Sequence, residues 1–135
     1  MTAWKFNVLV VANRTADTPE LSAAMLRRHG AAGTHFTLLV PCSPGQRDLH
    51  HERLERVLAR LRSEGLDVSG RIGNSDPILA VNDVWDPAAF DEIIVATLPT
   101  STSRWSRLGV PQRLERMTGA RVTHVITGGG VPSRT

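Results

Sequence analysis

Five runs of apolar, largely β-branched residues punctuate the chain: Phe6 to Val11, Thr34 to Val40, Leu66 to Ile72, Glu92 to Leu98, and Arg121 to Ile126. Two stretches, Asn7-Val8-Leu9-Val10-Val11 and Glu92-Ile93-Ile94-Val95-Ala96, are almost continuously apolar instead of alternating. A strand with one face in water alternates, whereas a strand covered on both faces does not. These runs therefore predict a parallel sheet packed between helices.

Between the runs the apolar spacing becomes helical. Asp17-Thr18-Pro19-Glu20 reads as a helix start with Asp17 as the capping side chain, an early proline, and Glu20 three residues after the cap. That helix is expected to run through Leu21, Met25 and Leu26 and to stop at Gly30. Leu54, Val57, Leu58 and Leu61 form one stripe, predicting a second helix from about Arg47 to Glu64 with Gly65 after it. Glu52 and Arg56 stand i,i+4 on its outer face. A short third helix is expected from Pro77 to about Trp85, with Ile78, Val81 and Trp85 inward. A fourth begins near Pro111, turns Leu114 and Met117 inward, and ends by Gly119. The resulting order, β-α-β-α-β-α-β-α-β, implies a single open five-stranded parallel sheet with helices on both faces, an α/β fold. No repeat, linker or second composition zone interrupts it. Residues 1–127 are read as one domain, and 128–135 as a flexible Gly-rich tail.

Composition narrows the class. The chain has 135 residues, 41% hydrophobic and 21% charged, which suits one globular domain. No apolar run is long enough for a membrane helix, and Met1-Thr2-Ala3-Trp4-Lys5-Phe6 is not patterned as a secretory signal. With Cys42 the only cysteine, no intrachain disulfide can form. The expected location is cytoplasmic. Net charge is only +3, yet the pI is about 10.4. The two agree because there is no Tyr and nearly every basic residue is Arg. Neither a clustered basic face nor interleaved aromatics accompany that charge, so the sequence does not point to nucleic acid as a partner.

In an open α/β sheet a ligand sits beyond the carboxyl ends of the strands, where strand order reverses. The loops available there are Ala12 to Asp17, Pro41 to Gly45, Gly73 to Pro77, and Pro99 to Gly109. The last carries Thr100, Ser101, Thr102, Ser103 and Ser106, together with Arg104, Trp105 and Arg107. Hydroxyls and guanidinium groups before a helix suit phosphate or another anion; equally, such hydroxyls cap turns in a solvated loop while Trp105 packs on the sheet edge. Asn13, Arg14 and Thr15 are candidates because the first βα loop often touches ligand in this architecture and Arg14 can reach an anion; they read equally as a turn with a surface arginine. Gly73 and Asp76-Pro77 read as a turn and a capped helix start. No Walker loop, dinucleotide glycine fingerprint or Gly-x-Ser-x-Gly elbow occurs. The five histidines are scattered and read as solvated surface groups, and Cys42 as a passive thiol. No catalytic constellation and no metal site is found, so the chain is not expected to be an enzyme.

The alternation over the entire chain, Gly73 with Asp76-Pro77 before the third helix, the lead-in Phe90-Asp91-Glu92-Ile93-Ile94-Val95, and the ending Gly119-Ala120-Arg121-Val122-Thr123-His124-Val125-Ile126 together resemble the universal stress proteins. The resemblance implies the adenine-nucleotide alpha hydrolase-like fold and, in nucleotide-binding members, an Asp after strand one and a Gly-x-x-Gly-x9-Gly-Ser/Thr loop after strand four that wraps ATP phosphates. Here Asn13 stands at the Asp position, Thr97 and Thr100 at the first two glycines, and Val110, one residue past Gly109, at the third. The stretch from Thr97 through Ser103-Arg104-Trp105 to Pro111-x-Arg113 is similar to a variant loop of actinobacterial relatives.

Two functions follow from the resemblance. One is a stress-response regulatory protein that takes ATP or AMP, or another anion, through Asn13, Arg14, Thr15, Pro41, Gly73, Thr97, Thr100, Ser101, Thr102, Ser103, Arg104 and Arg107. The other is a dimeric interaction module that has lost nucleotide binding. The resemblance also implies a homodimer through the last strand, Val122 to Ile126.

Overall fold

The computed structural model describes residues 6–29, 33–99 and 104–127. The Gly-rich tail and the stop at Gly30 lie outside them. Five strands, β1 (Phe6–Val11), β2 (Thr34–Pro41), β3 (Val68–Gly73), β4 (Glu92–Thr97) and β5 (Arg121–Ile126), form one sheet in the order β3-β2-β1-β4-β5. Every pairing is parallel. The helices are α1 (Pro19–His29), α2 (Arg47–Ser63), α3 (Pro77–Val84), α4 (Arg104–Arg107) and α5 (Val110–Thr118). A 3-10 turn spans Arg14–Asp17 and another Pro44–Gln46.

Register explains the continuous apolar runs. Val8 pairs with Phe36, and Val10 with Leu38 and Ile94. These side chains pack with Leu21 and Met25 of α1 and with Leu54, Val57, Leu58 and Leu61 of α2. The alternate residues Leu9, Val11, Leu39, Ile93 and Val95 pack on the opposite face with Ala80 and Val81 of α3 and Val110 and Leu114 of α5. Two separate cores thus sandwich the sheet, which is why β1 and β4 cannot alternate.

Local chemistry sets several boundaries. The side chain that caps α1 is Thr18, not Asp17: the Leu21 amide points to Thr18 Oγ1 at 3.4 Å. Proline at the first helical position forces the residue before it into extended backbone, and Thr18 has φ −128° and ψ 149°. Asp17 falls one residue early, within the 3-10 turn, and pairs instead with Arg60 of α2 at 2.8 Å. At the end of α2, Gly65 has φ +93°. Its amide donates to Arg62 O at 3.0 Å and the Leu66 amide to Leu61 O at 3.2 Å. This is a Schellman stop with its apolar contact between Leu66 and Leu61. Leu66 therefore belongs to the turn, and β3 begins two residues later than the apolar run suggests.

The start of α3 is built as expected, with the Ile78 amide donating to Asp76 Oδ1 at 2.8 Å. Trp85 follows α3 and stacks on Phe90, with ring centroids 5.7 Å apart. Met117 does not turn inward; it is 38% exposed. The buried face of α5 runs through Val110, Pro111 and Leu114 and continues toward half-buried Thr118, which leaves Met117 on the flank. The amino ends of β1 and β4 are tied reciprocally: Asn7 N donates to Asp91 Oδ2 and Asp91 N to Asn7 O, each at 2.8 Å. Beside that tie Glu92, 4% exposed, receives a forked pair of bonds from Arg28 Nε and Nη2, both 2.8 Å. None of the helices is long and apolar enough, among the described residues, to cross a membrane.

Candidate functional site

Strand order reverses between β1 and β4, so their carboxyl ends diverge and open the position where this architecture binds ligands. β1 delivers Asn13 there, half-buried at the entry to the 3-10 turn. Its Nδ2 donates to the carbonyl of Pro41, at the end of β2, at 2.6 Å. Its Oδ1 is buried and receives no hydrogen bond. Arg14 opens the turn that follows, its side chain lying outside the described atoms. Thr15 is 3% exposed, and its hydroxyl donates to Ala96 O of β4 at 3.0 Å. That bond pins the first loop to β4 and directs the hydroxyl into the protein.

Gly73 closes β3, and its carbonyl accepts from the Cys42 amide at 3.3 Å. A Cβ at Gly73 would lie 3.0 Å from Leu39 Cδ1 and 3.1 Å from Ala80 Cβ. Glycine suits the close approach of α3 to the sheet there. Cys42 is buried at 4% exposure.

Thr97 ends β4 in a dense polar knot. Its Oγ1 lies 2.7 Å from His124 Nε2, and Ser106 Oγ donates to the same Oγ1 at 3.3 Å. Its carbonyl accepts from Thr127 N at 2.7 Å and from Thr127 Oγ1 at 3.0 Å. Burial lowers the pKa of His124 below the ordinary histidine range, favouring the neutral ring. His124 is therefore not a solvated surface group. Nor is His35, whose ring reaches Ser69 Oγ at 3.1 Å and Asp67 Oδ1 at 3.0 Å. No non-glycine residue among those described has positive φ, so Thr97 occupies its glycine position without strain. Arg104 and Arg107 are exposed on α4, the short helix behind which half-buried Trp105 packs onto the core formed with α3 and α5. Thr100, Ser101, Thr102 and Ser103 lie outside the described residues.

Next to Asn13 the surface forms a shallow recess of about 240 Å³, counting the open solvent in its mouth. Ala16, Val40, Leu54 and Val57 form its apolar lining, and His50 and Arg53 of α2 join Asn13 as its polar groups. Sequence reasoning passed over Arg53 and placed His50 among the solvated histidines. The available signal was their spacing: His50 and Arg53 flank the Leu54-Val57 stripe one turn apart, on the border of the buried face. Among the described residues no cluster of His, Cys, Asp and Glu could hold a metal ion.

No family model matches the chain, and no curated protein matches it. Solved structures do. A universal stress protein from Archaeoglobus fulgidus superposes with a TM-score of 0.66 at 11% identity, over 89% of this chain and 93% of the other. A universal stress protein in complex with cAMP gives 0.65 at 19% identity, over 93% of this chain and 100% of the other. A protein of Mycobacterium tuberculosis H37Rv gives 0.53 at 21% identity, over 95% and 99%. With its 3-2-1-4-5 parallel sheet carried between two helical layers, this chain has the fold of the universal stress proteins.

Proposed function

We propose that the chain is a universal stress protein-like regulatory protein that binds an adenine nucleotide at the carboxyl ends of its strands. The carrying observation is Asn13: it stands at the reversal point, one N–H of its amide donates to Pro41 O, and its Oδ1 is buried without a donor. An unsatisfied buried acceptor costs roughly 1–3 kcal/mol, which a ligand N–H reaching it would recover. The exocyclic amine of adenine is such a donor. The solved neighbour in complex with cAMP supports the same ligand class; ATP and AMP belong to it as well.

The residues fit the base end of that ligand better than the usual phosphate cradle. The Thr97 side chain is already engaged by His124 and Ser106. A threonine also restricts the backbone conformations through which glycines bring N–H groups to phosphate. Charge supplied by arginine takes the place of that cradle, Arg104 and Arg107 being the candidates on α4. The test is calorimetry with ATP, ADP, AMP and cAMP on the native protein and on Asn13→Ala. Binding of at least one nucleotide, weakened about tenfold by the substitution, is expected for the loss of one buried hydrogen-bond partner. Silence with all four at millimolar concentration ends the reading.

A second reading, a homodimeric interaction module, has its own observation. β5 is an edge strand, and among the described residues nothing pairs with its outer side. Val122, Thr123, His124 and Val125 are half-buried and Ile126 is 50% exposed. Pairing of Val122 to Ile126 with a second copy would continue the sheet and cover that edge. Light scattering decides it: a monomeric mass at high concentration refutes the dimer.

A further inference from the structure

Three arginines among those described are half-buried: Arg28, Arg53 and Arg60. Partly burying a guanidinium is costly unless an anion or acceptors compensate it. Arg28 has Glu92, and Arg60 has both Asp17 and Glu64. Arg53 is the exception: no carboxylate among the described residues pairs with it. It lines the recess that also holds Asn13, whose Oδ1 is buried without a donor. His50, three residues earlier on the same helix, lines the recess too. One small space therefore collects an unmatched cation, an imidazole and an unmatched acceptor around the apolar surface of Val40 and Leu54.

We infer that Arg53 and His50 form an anion subsite on α2, which takes the phosphate of a ligand whose amine reaches Asn13 Oδ1. Arg53 presents its planar fork to two phosphate oxygens, and a ring N–H of His50 donates to the third. Val40 and Leu54 supply the apolar surface on which the ring between amine and phosphate lies. The recess is shallow and open to solvent, so the phosphate would sit at its mouth, between the two side chains of α2. The inference rests on the nucleotide reading above and moves the phosphate contact from α4 to α2.

The experiment is calorimetry with AMP and adenosine on the native protein, Arg53→Ala, Arg53→Lys and an Arg104→Ala/Arg107→Ala double variant. NMR of the His50 ring during titration with AMP and with inorganic phosphate accompanies it. Thermal melts confirm that each variant is folded. Arg53→Ala should weaken AMP about tenfold or more, the loss of a charge-assisted pair, and leave adenosine unchanged. Arg53→Lys should recover part of the loss, and the double variant should cost AMP less affinity than Arg53→Ala does. AMP and phosphate should both shift the His50 resonances. If AMP binds Arg53→Ala as well as the native protein while the double variant loses it, the inference is overturned and the nucleotide reading stands. If phosphate moves His50 but no nucleotide binds, the subsite stands and the nucleotide reading falls. If neither phosphate nor nucleotide has any effect, both fall.

Discussion

Replacing Arg28 by Ala strips the counterion from a carboxylate that the fold has buried. Glu92 opens β4, and its side chain is 5% exposed against 36% for Arg28, so the pair is sealed at one end and wet at the other. Breaking a fully buried pair costs about 3–5 kcal/mol, and losing an exposed one at most about 1 kcal/mol. Water entering the space vacated by Arg28 would solvate part of the carboxylate, which places Arg28→Ala between these limits, at about 2–3 kcal/mol. For a domain of this size that lowers the melting midpoint by about 10 °C. Glu92→Gln should cost less, about 1 kcal/mol, because the guanidinium it frees can turn outward into water. The double variant Arg28→Met/Glu92→Leu should return to within about 1 kcal/mol of the native protein, since it removes both charges and keeps their volume. Urea unfolding monitored by circular dichroism and Trp fluorescence measures all three. A cost below about 0.5 kcal/mol for Arg28→Ala, with an unchanged m-value, would mean that water already reaches Glu92 and would refute the reasoning.

Three further outcomes are expected. Gly73→Ala should destabilise by about 1–2 kcal/mol through overpacking, because the Ala80 Cβ it meets is fixed on α3; a neutral result in urea would show that α3 shifts away freely. Gly65→Ala meets no atom, so its cost of about 1 kcal/mol comes from the left-handed backbone alone, and Gly65→Asn should recover part of it. The lowered pKa of His124 means that the unfolded chain takes up a proton at higher pH than the folded one. Its contribution to stability is thus complete above about pH 6.5 and lost as pH falls through the folded-state pKa, so the acid-side slope of stability against pH should flatten in His124→Gln.

Much of the fold was legible because burial on both faces leaves a local trace. The continuous apolar character of β1 and β4 announces two covering layers, and the Leu54-Val57-Leu58-Leu61 stripe announces α2 almost to its ends. Errors arose where two local signals competed. Asp17 and Thr18 are both good caps, and only the backbone restriction imposed by Pro19 chooses between them. Leu66 is apolar like the strand that follows it, but its partner is Leu61 in a helix stop. Met117 has the spacing of a core residue, but the buried face of α5 runs from Leu114 to Thr118 and leaves it on the flank.

The candidate site was legible as a set of loops and not as a set of contacts. Sequence places Asn13 in the first loop at the carboxyl ends of the strands, and the strand order β3-β2-β1-β4-β5 puts that loop at the reversal point. Only tertiary structure determines what each polar group faces. Thr15 turns inward to Ala96, Thr97 is taken up by His124 across 27 residues of chain, and Asn13 keeps one oxygen without a donor. It also separates three half-buried arginines: among the described residues Arg28 and Arg60 meet carboxylates distant in sequence, Glu92 and Asp17, and Arg53 meets none. Apolar burial depends on a repeating pattern that neighbouring residues share, so the chain by itself determined the sheet and its helices. Hydrogen bonds and ion pairs depend on directed contacts between residues far apart in sequence, so only the folded chain decided which polar groups remain available to a ligand.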